Sequence, residues 1–146
     1  MKTTLIELFE RDLQKLKTEI NLYKDEDRLW ILQTDISNSA GNLCLHLMGN
    51  LNHFIGATLG HTGYVRHRAD EFGLKNILRQ DLIMNIDNCI LIVKNTLVKL
   101  TETDLEKDYP LEKYGTVVST THMLLHVYGH LSYHLGQINY HRRLLD

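Results

Sequence analysis

Several things are scarce in this chain of 146 residues, and each scarcity removes a class of protein. There is one proline, Pro110, and no low-complexity tract or internal repeat, so collagen-like, linker-like and solenoid readings fall away. The two cysteines, Cys44 and Cys89, form no C-x-x-C pair and read as buried, reduced thiols rather than a disulfide framework. Net charge is −2, so nothing pulls the chain generally toward nucleic acid or an anionic membrane. No apolar run reaches the ~18 residues that a membrane span needs. The opening MKTTLIELFERDLQKL carries charges where a secretory signal would need an apolar block, so the expectation is a cytoplasmic protein. The length suits one domain, spanning residues 1–146, with a single hydrophobic core.

What the chain has in plenty is helical periodicity. From about Thr4 to Tyr23, Leu5, Phe9, Leu13, Leu16, Ile20 and Tyr23 form one apolar stripe, and Thr4 with Glu7 has capping-box spacing. The run KDEDR after it reads as a solvated loop. A second segment runs from about Ser39 to Leu59, capped by Asn38 or Ser39 and stopped by Gly60 or Gly63. A third, from about Gln80 to Leu100, places Leu82, Ile86, Cys89, Ile90, Val93, Leu97 and Leu100 on one face. TETDLEKD reads as another loop, and a last helix runs from about Ser119 to Leu144. Four long helices without a strand pattern predict an all-α four-helix bundle. The long connection from Thr62 to Arg79 would cross it.

The chain has nine histidines, and four of them lie in HVYGHLSYHLGQINYH, residues 126–141. At 100° per residue, with His126 at zero, Leu124, Val127, Leu131, Leu135 and Ile138 mark the core direction at roughly 100–180°. On the same wheel His130 falls at about 40° and His134 at about 80°, flanking that core, while His122 faces water. On the second helix His46 and Asn50 stand on one shoulder of the core, with His53 slightly further out. If the two helices are neighbours, His46, His130 and His134 converge. Two histidines one turn apart plus a third from another helix can hold one metal and leave positions open, the layout of a catalytic zinc site. Iron and nickel accept the same ligands. H-x-x-x-H is a weak signal by itself, and histidines at the edge of a core are the plainer alternative.

Other chemistries are easier to dismiss. No glutamate has a histidine three residues later, which removes a ferritin-like di-iron site. H-E-x-x-H is absent, as is a phosphate-binding glycine loop. Residues 42–60 and 119–144, which bear the histidines, hold no carboxylate. Gly49 and Gly56 on the second helix, and Gly129 and Gly136 on the last, share a spacing of seven. Each costs a helix about 1 kcal/mol relative to alanine. All four project away from the predicted core, which suggests close helix contact across a dimer interface.

The segments LLHVYGHLSYHLGQINYHRRLL, NSAGNLCLHLMGNLNHFIG and GYVRHRADEF resemble the DinB-like superfamily over nearly the whole chain. H-x-x-x-H followed by x-G-Q is the most specific part, and the first helix the least. The resemblance implies an up-down-down-up bundle with a long crossover between helices 2 and 3, and usually a homodimer. It implies a divalent metal (zinc, nickel or iron) held by one histidine of the second helix and two of the fourth, here His46, His130 and His134. It also implies, among characterised relatives, transferases and isomerases that use low-molecular-weight thiols such as mycothiol, bacillithiol or glutathione. On this reading the chain is a metal-dependent thiol S-transferase acting on a small electrophile. A non-catalytic metal-binding or stress-response bundle with a structural metal, and a metal-dependent hydrolase, are the alternatives. Asn50, His53 and Gln137 are expected to orient substrate or ligands. His53 and His126 are weaker choices as proton carriers, and Arg66 and Arg68 could meet an anionic group.

Overall fold

A computed structural model describes all 146 residues, and it is all-helical with no strand. Six helices follow one another: α1 Lys2–Leu22, α2 Ala40–Leu51, α3 Arg68–Gly73, α4 Arg79–Lys99, α5 Glu102–Glu106 and α6 Thr120–Leu145. A 3-10 helix, Glu26–Trp30, follows α1, and a widened π-helical turn, Asn52–Ala57, extends α2. No helix is long and apolar enough to cross a membrane.

The apolar stripes form the core as their spacing requires. Leu5, Phe9, Leu13, Leu16 and Ile20 of α1 and Tyr23 just after it are buried, as are Leu82, Ile86, Cys89, Ile90, Val93 and Leu97 of α4, while Leu100, past the end of α4, is only partly buried. Leu124, Val127, Leu131 and Ile138 of α6 join them in one cluster of 27 residues. Each large side chain so buried stabilises the fold by roughly 1.5–3 kcal/mol before entropy is counted. Cys44 and Cys89 are free and buried, and burial pushes both thiols up to about 12. They are inert packing groups at neutral pH.

Side chains between helices fix their relative directions. Lys2 Nζ donates to Leu100 O at 2.8 Å and Arg79 Nη2 to Tyr23 O at 2.7 Å, so α1 and α4 are antiparallel. Arg11 bonds Tyr128 and Arg142 bonds Glu19, so α1 and α6 run the same way. His46 meets His130, while Leu43, one turn earlier, shares a cavity wall with His141, so α2 opposes α6.

Three local expectations need correction. Thr4 and Glu7 do not cap α1, which starts at Lys2 after Met1 with no side-chain cap. The capping box sits instead at Thr101 and Asp104, where it starts α5 inside a stretch expected to be loop. KDEDR leads into the 3-10 helix, because Leu29 is drawn fully into the core. The crossover from Thr62 to Arg79 contains α3, which packs on α2. Asn42 secures that packing by donating to Glu71 O at 2.9 Å and Leu74 O at 2.8 Å. Ser39, one of the two caps expected for α2, caps that helix, and Ser119 caps α6.

Candidate metal centre

The α2 and α6 helices bring three imidazoles to one point. His46 Nε2 lies 2.9 Å from His130 Nε2, and His134 Nε2 lies 3.1 Å from the same atom. The ligand atoms of all three lie within 4.8 Å of one another. A metal–nitrogen distance of about 2.0–2.1 Å separates two ligand nitrogens by about 2.9 Å at a right angle and about 3.3 Å at the tetrahedral angle. The two separations that centre on His130 therefore suit one ion.

The protons favour the same conclusion. His46 Nδ1 faces Glu71 Oε1 at 2.9 Å, and a carboxylate only accepts, so Nδ1 carries the proton. His134 Nδ1 faces Gln137 Oε1 at 2.6 Å and donates to it. Both Nε2 atoms thus present bare lone pairs toward His130. His130 can offer at most one proton there, so at least one lone pair is left facing another. A cation satisfies all three. Burial pushes His46 below its ordinary pKa despite the pull of Glu71. Burial, then the neighbouring His134 and His46, drives His130 down to about 3. Both are neutral near pH 7, the state in which imidazole binds metal. His130 Nδ1 is the one ring atom of the three that is buried without a partner.

Glu71 is the residue that the sequence reading missed. It is 5% exposed and lies 25 positions from His46. Arg66 grips it twice, Nε to Oε2 and Nη2 to Oε1, both at 2.8 Å. The carboxylate therefore orients His46 and is itself held. Its approach depends on Gly49, because a Cβ there would collide with the Glu71 carboxylate. Gly56 likewise faces Ile92 of α4. Gly49 and Gly56 are thus buried within the subunit, not turned outward toward a partner as their position on the wheel suggested. Of the four, only Gly129 and Gly136 face open space, where an added Cβ would meet nothing within 4 Å.

DUF1572, described as a protein of unknown function, matches residues 3–146. The chain belongs to this family. DUF1572 is DinB-like. No curated protein matches the chain.

In this DUF1572 chain a cavity of about 350 Å³ opens over His46 and His130. Asn50, Arg66, Arg68 and His126 also line it. Asn50 is 8% exposed, and its Oδ1 is buried without a hydrogen-bond partner. Gln137 is exposed and reaches the site only through His134. His53 is half-buried against Phe54 and does not line the cavity. Burial lowers the pKa of both His53 and His126. His122 is exposed. His141 is buried far down α6, where its Nδ1 meets the Tyr23 hydroxyl at 2.6 Å and its Nε2 meets Ile31 O at 2.7 Å. It is a satisfied structural histidine. Three larger cavities lie elsewhere, two of about 520 and about 610 Å³ along α6 and one of about 400 Å³ between α2, α3 and α4, and none of the three converging histidines lines any of them. The smaller cavity is the one with chemistry at its base.

Proposed function

We propose that this chain is a divalent-metal-dependent enzyme and, within that reading, an S-transferase that uses a low-molecular-weight thiol. The observation that carries it is the convergence of three Nε2 atoms, two of whose rings, His46 and His130, line an open cavity. Three protein ligands with room beside them favour an ion with open positions over a closed structural one. His46, His130 and His134 would hold the ion, and Glu71 would fix the ring of His46. The bound ion would lower the pKa of a thiol presented in the cavity and favour its nucleophilic form. A hydrolase that needs a carboxylate base could not use Glu71, both of whose oxygens are taken by Arg66, and would have to draw on Glu112 at the cavity wall. The pairwise helix directions support an up-down-down-up bundle. The open outer face of α6, with Gly129, Gly136 and the exposed Tyr133 and Tyr140, supports a homodimer.

Metal analysis of protein purified without a histidine tag tests the reading. About one ion per chain is expected. His46→Ala, His130→Ala and His134→Ala should each lose it, and His122→Ala should keep it. With cobalt in the site, adding bacillithiol, mycothiol, glutathione or coenzyme A should produce an intense sulfur-to-metal charge-transfer band. Full metal occupancy in His130→Ala would overturn the ligand set. Absence of the band with all four thiols would overturn the transferase.

A further inference from the structure

The walls of the cavity over His46 and His130 have features that the three histidines do not explain. Arg66 is engaged by Glu71. The other two cations lining the cavity, Arg68 and Lys113, join no ion pair. Each rests over a ring instead. The Arg68 guanidinium carbon lies 5.2 Å from the Phe72 centroid, and Lys113 Nζ lies 5.0 Å from that of Tyr114. Such stacking steadies the side chain and leaves its N–H donors free. Glu112 is the only acid in the lining.

The two cations come from separate segments. Arg68 opens α3. Lys113 belongs to a tight turn closed by Lys113 N–H to Thr116 O at 2.8 Å and Thr116 N–H to Lys113 O at 3.0 Å. Between them Tyr114 has φ 50° and Gly115 φ 76°. Glycine adopts that region freely and tyrosine does so at a cost. A two-residue turn of this kind requires positive φ at both central positions, so the turn itself holds Tyr114, 89% exposed, at the wall of the cavity. Deeper in, Asn50 Oδ1 is a buried acceptor that lacks a donor, and buried acceptors without partners are rare.

We propose that this cavity binds a small organic anion that also carries a hydroxyl or amine donor. Its acid group pairs with Arg68 and Lys113, and its O–H or N–H donates to Asn50 Oδ1. The assignment deepens the reading of the three-histidine cavity as a substrate site and rests on it for where the reacting end lies. The cationic clamp itself requires no metal, so the two can fail separately.

The test uses the full chain, both metal-free and metal-loaded, with glycolate, acetate and ethylene glycol as probes. Heteronuclear NMR follows the Asn50 side-chain amide and the Arg68 Nε–H during titration. Glycolate should shift both signals in the metal-free protein and bind about fivefold more tightly than acetate, the scale of one hydrogen bond. Ethylene glycol should shift neither. Arg68→Gln combined with Lys113→Gln, both near the surface, should weaken glycolate at least about tenfold while the melting temperature holds. Asn50→Leu should erase the preference for glycolate over acetate and leave acetate binding in place. Equal binding of glycolate and acetate, or an unweakened double variant, would overturn the proposal. If the protein takes up no metal yet the metal-free chain binds glycolate with this pattern, the enzyme reading falls and the clamp stands. If metal binds and the clamp variants change nothing, the reverse holds.

Discussion

Gly49 and Gly56 on α2 share a seven-residue spacing with Gly129 and Gly136 on α6, yet the two helices use the spacing in opposite ways. On α2 the missing side chains admit Glu71 and Ile92. On α6 they leave a bare outer face. The histidines follow the same division. His46 is 6% exposed and is steered by a buried carboxylate that an arginine grips. His134 is half-buried and is steered by an exposed amide, Gln137. The reason is cover. The α2 helix has α6 and α4 on its flanks, and α3 and the 3-10 helix close its remaining side, so its polar row Asn42, His46 and Asn50 is buried. The α6 helix keeps one side in water. One half of the candidate site is therefore set by packing, and the other half by a single exposed hydrogen bond.

Gly49→Ala is the strongest way to break this comparison. The new Cβ must displace Glu71 from Arg66 and His46, so the expected loss is about 3 kcal/mol of unfolding free energy, read from urea denaturation. Gly129→Leu should leave the subunit fold intact, because its face is open and leucine is the better helix former. It should instead shift a dimer toward monomer in light scattering. A Gly49→Ala protein as stable as its parent would mean that the two glycine pairs do not differ.

The orienting groups give the next effect. Glu71→Gln should weaken metal binding roughly 10–100-fold in a chelator competition, the usual cost of removing a carboxylate behind a ligand histidine. Gln137→Ala should cost less, since water can replace an exposed acceptor. Equal losses would show that burial contributes nothing to ligand orientation.

The smallest effect sharpens the contrast from outside the site. Between α1 and α6 the buried group is an acid, Asp12, rather than an imidazole. Burial by itself raises the Asp12 pKa, but hydrogen bonds from Arg11 and Tyr128 outweigh it and hold the carboxyl below its usual value. The unfolded chain, with a carboxyl near 3.9, then takes up its proton first as pH falls. Asp12 therefore stabilises the fold above about pH 4, and this contribution is lost on acidification below that. Asp12→Asn should lower the melting temperature by roughly 3 °C at pH 7, the scale of one hydrogen bond, with the gap narrowing below about pH 4. A gap that is constant with pH would assign the effect to packing alone.

The amino-acid sequence by itself determined the four long helices, their buried stripes and the three histidines at the shoulder of the core. Each of these follows from a 100° step per residue acting on local spacing, so neighbours in the chain suffice to read it. Even the caps at Ser39 and Ser119 are local. Tertiary structure alone decided what lies against each polar face. Asp12 meets the Tyr128 hydroxyl and His141 the Tyr23 hydroxyl, partners more than a hundred positions away in the chain. Glu71 has no local signal that ties it to His46, and its partner is chosen by where α3 lands. The opposite fates of Gly49 and Gly129 were equally hidden, since a glycine is an open surface or a contact according to what packs on it. Helical period is a property of a segment, whereas cover is a property of the whole fold, and the dielectric and hydrogen-bond environment of the candidate site depends on cover.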